Sequence, residues 1–147
     1  MADIYPIQPF ISNNLAWETT DLEVTKAAGP DDPVNIIRTN EAFDVTLTFQ
    51  GNPAGIIFNG YKVSNLKYRV RYFAESMGPG SNNVDLGFHD DTLVVGTDIY
   101  TAAKTTFTVP AGTLLAGVYR LSATLTFPTA PGHAGFFEGT LLQVIEP

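Results

Sequence analysis

The chain has 147 residues, 44% of them hydrophobic, and its fifteen acidic and eight basic side chains give a net charge of −7 at neutral pH. That length suits one domain, which buries about two thirds of its unfolded surface, while the charge repels phosphate backbones and excludes sequence-independent nucleic-acid binding. The absence of cysteine removes disulfide scaffolds, cysteine zinc sites and thiol nucleophiles together.

No apolar run approaches the roughly 18 residues of a membrane-spanning helix, and the cluster from Leu114 to Val118 is interrupted by Gly117; no membrane insertion is expected. The start, MADIYPIQPF, carries Asp3 and two prolines with no basic head, unlike a cleaved secretory signal. A cytoplasmic or particle-associated location is the default expectation.

In chain order, residues 1–15 place Ile4, Tyr5, Ile7, Phe10 and Ile11 around Pro6 and Pro9. Prolines deny ladder donors, so this segment is an edge strand or an extended arm. Asp21 to Lys26 alternates Leu22 and Val24 with polar residues, and AAGPDDP then breaks the chain. Val34 to Thr39 and Ala42 to Gln50 read as strands, the second with Phe43, Val45, Leu47 and Phe49 on one side. Gly51 to Gly60 reads as a loop whose apolar middle, Ile56, Ile57 and Phe58, makes a short strand or tucks under the core.

Leu66 to Glu75 sets Tyr68, Val70 and Tyr72 against Lys67, Arg69, Arg71 and Phe73. SMGPGSNN is a turn by composition. Val84 to Phe88, Leu93 to Tyr100 and Thr105 to Val109 are shorter strand candidates. The stretch Pro110 to Phe127 opens into the longest clean alternation, over Tyr119 to Phe127: Tyr119, Leu121, Ala123, Leu125 and Phe127 fall on one side and Arg120, Ser122, Thr124 and Thr126 on the other. A period of two places alternate residues on opposite faces of a sheet. After PTAPGHAG, Phe136 to Ile145 closes the sheet, with a bulge expected near Gly139 because both registers are partly apolar. No repeat, linker or convincing 3.6-residue apolar period interrupts this pattern. It predicts an all-β chain, a single two-sheet antiparallel β-sandwich spanning residues 1–147 with the N-terminal arm at one edge.

Leu114-Leu115-Ala116-Gly117-Val118-Tyr119 resembles the corner before the sixth strand of immunoglobulin and fibronectin type III sandwiches, where a tyrosine hydroxyl bonds back to upstream backbone. The resemblance implies that Tyr119 is a structural corner, that Ala42 to Gln50 is strand B, Leu66 to Glu75 strand C, Thr105 to Val109 strand E, Pro110 to Phe127 the E–F corner with strand F, and Phe136 to Ile145 strand G. The chain departs from antibody-type domains in lacking the core cysteines and in placing Trp17 far ahead of strand C.

Motifs of chemistry are sparse. His89-Asp90-Asp91 is the most suggestive metal candidate, yet neighbouring residues alternate in direction and calcium needs six or more oxygens; adjacent aspartates are ordinary turn chemistry, and a turn is the expected reading here and at Asp31-Asp32. Neither His89 nor His133 sits in a nucleophile context, and the glycines at 78–80 lack the Lys-Ser/Thr of a phosphate loop. No catalysis, cofactor or metal is expected. Lys67, Arg69 and Arg71, joined by Arg120 if strands C and F are neighbours, form a basic face, whose competing explanation is a solvated surface balanced by carboxylates. Two functions remain. One is a structural or assembly subunit that docks the arm and the basic face on copies of itself or on another protein. The other is a carbohydrate- or protein-binding accessory module that uses loops 76–83 and 128–135.

Overall fold

Phe43, Val45, Leu47 and Phe49 are fully buried while Asp44, Thr46 and Thr48 are not; Tyr68, Val70, Tyr72 and Ala74, and Tyr119, Leu121, Ala123 and Leu125, repeat the pattern. Three strands that each carry one apolar face can hide it only against another sheet, and two packed sheets are what the chain forms. The computed structural model describes residues 17–27, 33–78, 83–130 and 134–147, with residues 17–20 as backbone only. The expected arm residues Ile4, Tyr5, Ile7, Phe10 and Ile11 lie outside the described residues, as do Asp31-Asp32 and His133.

The elements are β1 (Trp17–Lys26), β2 (Ile36–Arg38), β3 (Phe43–Gly51), α1 (Ile56–Val63), β4 (Lys67–Ser76), β5 (Val84–Thr92), β6 (Ile99–Tyr100), β7 (Phe107–Val109), β8 (Gly117–Thr126) and β9 (Ala134–Ile145). One sheet holds β1 beside β3, whose other edge is shared by β6 and β7; the second runs β2-β9-β8-β4-β5. The neighbour relations implied for strands B, C, E, F and G are present, since β3 pairs with β7, β4 with β8 and β8 with β9. The irregularity near Gly139 is also there, the register slipping between Arg120 and Ser122 where Glu138 gives way to Leu141.

Four expectations need correction. The sandwich is not wholly antiparallel: β2 pairs with β9 in parallel, because the chain reaches it by crossing from the first sheet to the second, and a crossing, unlike a hairpin, does not impose reversal. The segment after β3 is a helix rather than a loop or a strand. It starts beyond a turn in which the Asn52 side chain accepts from the Ala54 N–H at 3.0 Å. It ends where Asn65 takes a left-handed φ of 50°, its N–H donating to Lys62 O while the Leu66 N–H donates to Tyr61 O, the paired bonds of a Schellman stop. Between Leu93 and Tyr100 only Ile99–Tyr100 is strand. Finally, His89-Asp90-Asp91 is not a turn but lies within β5, which continues to Thr92.

Helix α1 closes one end of the sandwich. Phe58 is buried against Gly51, where a Cβ would lie 2.5 Å from its ring; Tyr61 meets Phe127 at 6.2 Å between ring centres, and buried Lys62 is hydrogen-bonded to Asp98.

Candidate functional site

The outward side chains of the five-stranded sheet come into rows through cross-strand register. Thr124 on β8 faces Phe136 on β9 and Arg71 on β4, and Arg71 in turn faces Phe88 on β5. One step along, Ser122 faces Glu138 and Phe73, and Phe73 faces Asp85. The central strand thus contributes two small residues while its neighbours contribute large ones. A trough of about 490 Å³ results, lined by Phe73, Glu75, Asn83, Asp85, Ser122, Thr124, Phe136 and Glu138 among others.

The two phenyl groups border a polar floor. Phe136 is 48% exposed, and Phe73 is half-buried on the opposite wall. Two strand spacings and two residues of offset separate their Cα positions by about 12 Å. Among the described residues the Ser122 and Thr124 hydroxyls have no protein partner, so both can serve a ligand as donor and acceptor. Asn83 is occupied, accepting from the Ser76 N–H at 2.9 Å.

Lys67, Arg69, Arg71 and Arg120 do share this outward face, but the charge of the three arginines is not left open. Arg69 grips Asp90 with two bonds, Nε to Oδ1 at 2.7 Å and Nη2 to Oδ2 at 2.9 Å; this holds the Asp90 carboxyl below its ordinary range and raises the guanidinium. Arg71 donates to Asp85 at 2.6 Å, and Arg120 lies 3.7 Å from Glu138. The Arg69 and Arg71 guanidinium carbons also sit 3.9 and 5.0 Å from the Phe88 ring centre, a cation–π arrangement. The balancing carboxylates come from β5 and β9, because each places an acidic residue in register with an arginine or beside it.

The triplet on β5 is split by strand geometry. Asp90 points out to Arg69, whereas His89 and Asp91 point the other way, toward the 3₁₀ turn Ala102–Lys104. His89 Nδ1 is 2.9 Å from Thr106 O, Nε2 is 3.2 Å from Asp91 Oδ2, and Lys104 donates to Asp91 Oδ1 at 2.8 Å. Burial pushes the Asp91 carboxyl up, but the bonds from Lys104, the Thr92 N–H and His89 outweigh it and leave it below the usual range. The donors a cation would need are thus committed within the protein, and no cluster of three or more candidate ligands occurs among the described residues.

Tyr119 lies at the start of β8 and donates to Leu115 O, four residues upstream, at 2.8 Å. The loops after β4 and β8 are at opposite ends of the sheet, since Ser76 is in register with Tyr119 and Arg69 with Thr126. Seven residue steps, about 23 Å, separate the strand ends from which they leave, and the trough lies on the sheet between those ends. Sequence reasoning identified the outward register of β4 and β8 but missed Ser122, Thr124, Phe136, Phe88, Asp85 and Glu138 as partners in one surface. The signal was available in their outward register, and only the pairing of four strands assembles it.

No protein-family model matches the chain, and no curated protein sequence matches it. Solved structures do. The chain is similar in fold to the C-terminal domain of Wzt, with a TM-score of 0.55 at 11% identity over 89% of this chain and 74% of that one. A second match, the CARDB domain of a Pyrococcus furiosus protein in complex with di-metal ions, has a TM-score of 0.42 at 11% identity, covering 94% of this chain and all of the other. The likeness to the first is one of β-sandwich fold.

Proposed function

We propose that the chain is a non-catalytic binding module on an immunoglobulin-like sandwich, and that the outer face of its five-stranded sheet takes a saccharide chain across the trough between Phe73 and Phe136. The observation that carries the reading is the pair of hydroxyls, Ser122 and Thr124, without a partner among the described residues, on a floor between two accessible phenyl groups. A pyranose presents an apolar C–H face and a rim of hydroxyls, so it needs aromatic surface and donor–acceptor groups side by side, the mixture that gives recognition sites their orientation. With Asp85 and Glu138 already paired to Arg71 and Arg120, the remaining carboxylate of Glu75 beside the trough and the overall charge of −7 favour neutral over acidic sugars. The sheet keeps the groups fixed, so little ordering cost is left for binding.

A glycan array followed by titration calorimetry tests it. Wild type binds at least one neutral glycan, and Phe73→Ala with Phe136→Ala weakens binding by at least about tenfold, equivalent to ~1.4 kcal/mol. Absence of any glycan ligand, or unchanged affinity in a folded double variant, removes the reading.

A further inference from the structure

We propose that the trough takes an internal stretch of a polysaccharide, lying across the strands and running out over both edges of the sheet, and not the end of a chain; the assignment rests on the saccharide reading above. The lining residues come from β5, β4, β8 and β9, in their order across the sheet. Three strand spacings give a span of about 14 Å, longer than a single pyranose ring. Cross-strand register sets the sides. Arg71 and Phe88 stand on one side, Arg71 fixed there by its bond to Asp85 at 2.6 Å. Arg120 and Leu141 stand on the other, where Ser122 and Glu138 give way to them along β8 and β9.

The ends, by contrast, are not walled. β5 is the last strand of its sheet, with no described strand beyond it. Past β9 comes β2, and it pairs with β9 only over Gln143–Ile145, so no described strand pairs with Phe136 or Glu138 on that side. Recognition of a chain end needs groups gathered against the terminal unit, since only there does the end differ from the rest of the chain. The polar groups of the trough are instead spread along it: Glu138 on β9, Ser122 and Thr124 on β8, Asp85 and Asn83 on the β5 side. The two rings are spread likewise, Phe136 on β9 and Phe73 on β4. A polymer lying in the trough meets aromatic surface and hydrogen-bonding groups at successive units and keeps both of its ends in solvent. One chain can then carry several copies of the protein, each held by units that any stretch of the polymer repeats.

Length dependence decides it. A glucan, a mannan and a galactan, with any further neutral polymer that the glycan array selects, are fractionated by size from the monosaccharide upward and titrated with the full chain by calorimetry. For a polymer that binds, affinity should rise at least about tenfold from monosaccharide to trisaccharide and then level off, while the number of protein molecules bound per chain grows with chain length. One protein per chain at every length, or equal affinity for monosaccharide and trisaccharide, would overturn the internal mode and leave the saccharide reading standing. Binding to no glycan, or polymer binding unchanged in a folded Phe73→Ala with Phe136→Ala variant, would remove the saccharide reading and the internal mode together.

Discussion

The Tyr72 hydroxyl donates to the carbonyl of Thr105 at 2.5 Å across the sandwich. It also accepts from the Leu47 N–H at 2.9 Å, while the Thr105 hydroxyl donates to Leu47 O at 2.6 Å. The arrangement answers a gap in the first sheet. β3 pairs with β7 over Phe43–Val45 and with β6 over Phe49–Gln50, and between them the neighbouring chain detours through the 3₁₀ turn, leaving Leu47 without a strand partner on that side. A side chain from the opposite sheet supplies the bond instead. Burial pushes the Tyr72 phenol far above its usual range, so it remains a donor at any physiological pH.

Tyr72→Phe should therefore cost more than the loss of one hydroxyl. It leaves both the Leu47 N–H and the Thr105 carbonyl buried and unpaired, at about 1 to 3 kcal/mol for each such group. We expect a loss of about 2 to 4 kcal/mol in urea unfolding. A loss below about 0.5 kcal/mol would mean that water or backbone repacking closes the gap.

Tyr119→Phe gives the comparison. Its ring is buried with the core, but its bond to Leu115 O is only part-buried, so solvent can reach the freed carbonyl. The expected loss is about 1 kcal/mol. If the two substitutions cost the same, the distinction drawn here between a buried bridge and a corner bond is mistaken.

These two tyrosines show what the sequence conveyed and what it did not. Strict alternation within 42–50, 66–75 and 119–127 announced three strands and their inward residues, because a period of two admits little else. The Leu-Ala-Gly-x-Tyr approach announced the corner. By contrast, Tyr72 looked like any inward aromatic; its role follows from a missing strand partner on a segment twenty-five residues away. α1 was hidden because eight residues make little more than two turns, and the adjacent Ile56, Ile57 and Phe58 read as a short apolar run rather than a 3.6-residue period. The basic stripe was legible, but its neutralisation was not, because Asp85, Asp90 and Glu138 meet the arginines only through strand register. The same limit concealed the trough.

Glycine positions offer a packing test. At Gly87 the backbone takes a φ of +136°, and a Cβ would lie 2.4 Å from the Phe107 ring; at Gly139 it would lie 2.4 Å from a methyl group of Leu22. Gly87→Ala meets both backbone strain and overpacking, and we expect it to destabilise by at least about 2 kcal/mol. For Gly139→Ala, Leu22→Ala should restore part of the loss. Additive effects in that double-mutant cycle would show that the two residues do not meet.

The ion pairs of β5 predict the acid limb of stability. Bonding to Arg69 holds the Asp90 carboxyl below its ordinary value, and bonding to Lys104, Thr92 and His89 does so for Asp91 against the opposing effect of burial. A carboxyl lowered in the folded state contributes stability that is present above its unfolded value of about 4 and is lost as the pH falls through the folded value. Glu23 acts with opposite sign: its hydrogen bond with Asp21, partial burial and the Asp21 charge raise it, so its protonation relieves the fold as pH falls. Urea midpoints measured from about pH 6 to about pH 3 should drop for wild type. The drop should be shallower in Asp90→Asn with Asp91→Asn and steeper in Glu23→Gln, which removes the compensating group. Because Arg69 and Arg71 are matched within the chain, reversing both to Glu should lower the melting temperature by setting like charges beside Asp90 and Asp85. Adding Asp85→Lys and Asp90→Lys should recover part of that loss. An acid limb identical in all variants, or a reversal that changes only association and not melting, would show that these pairs form between molecules and not within one.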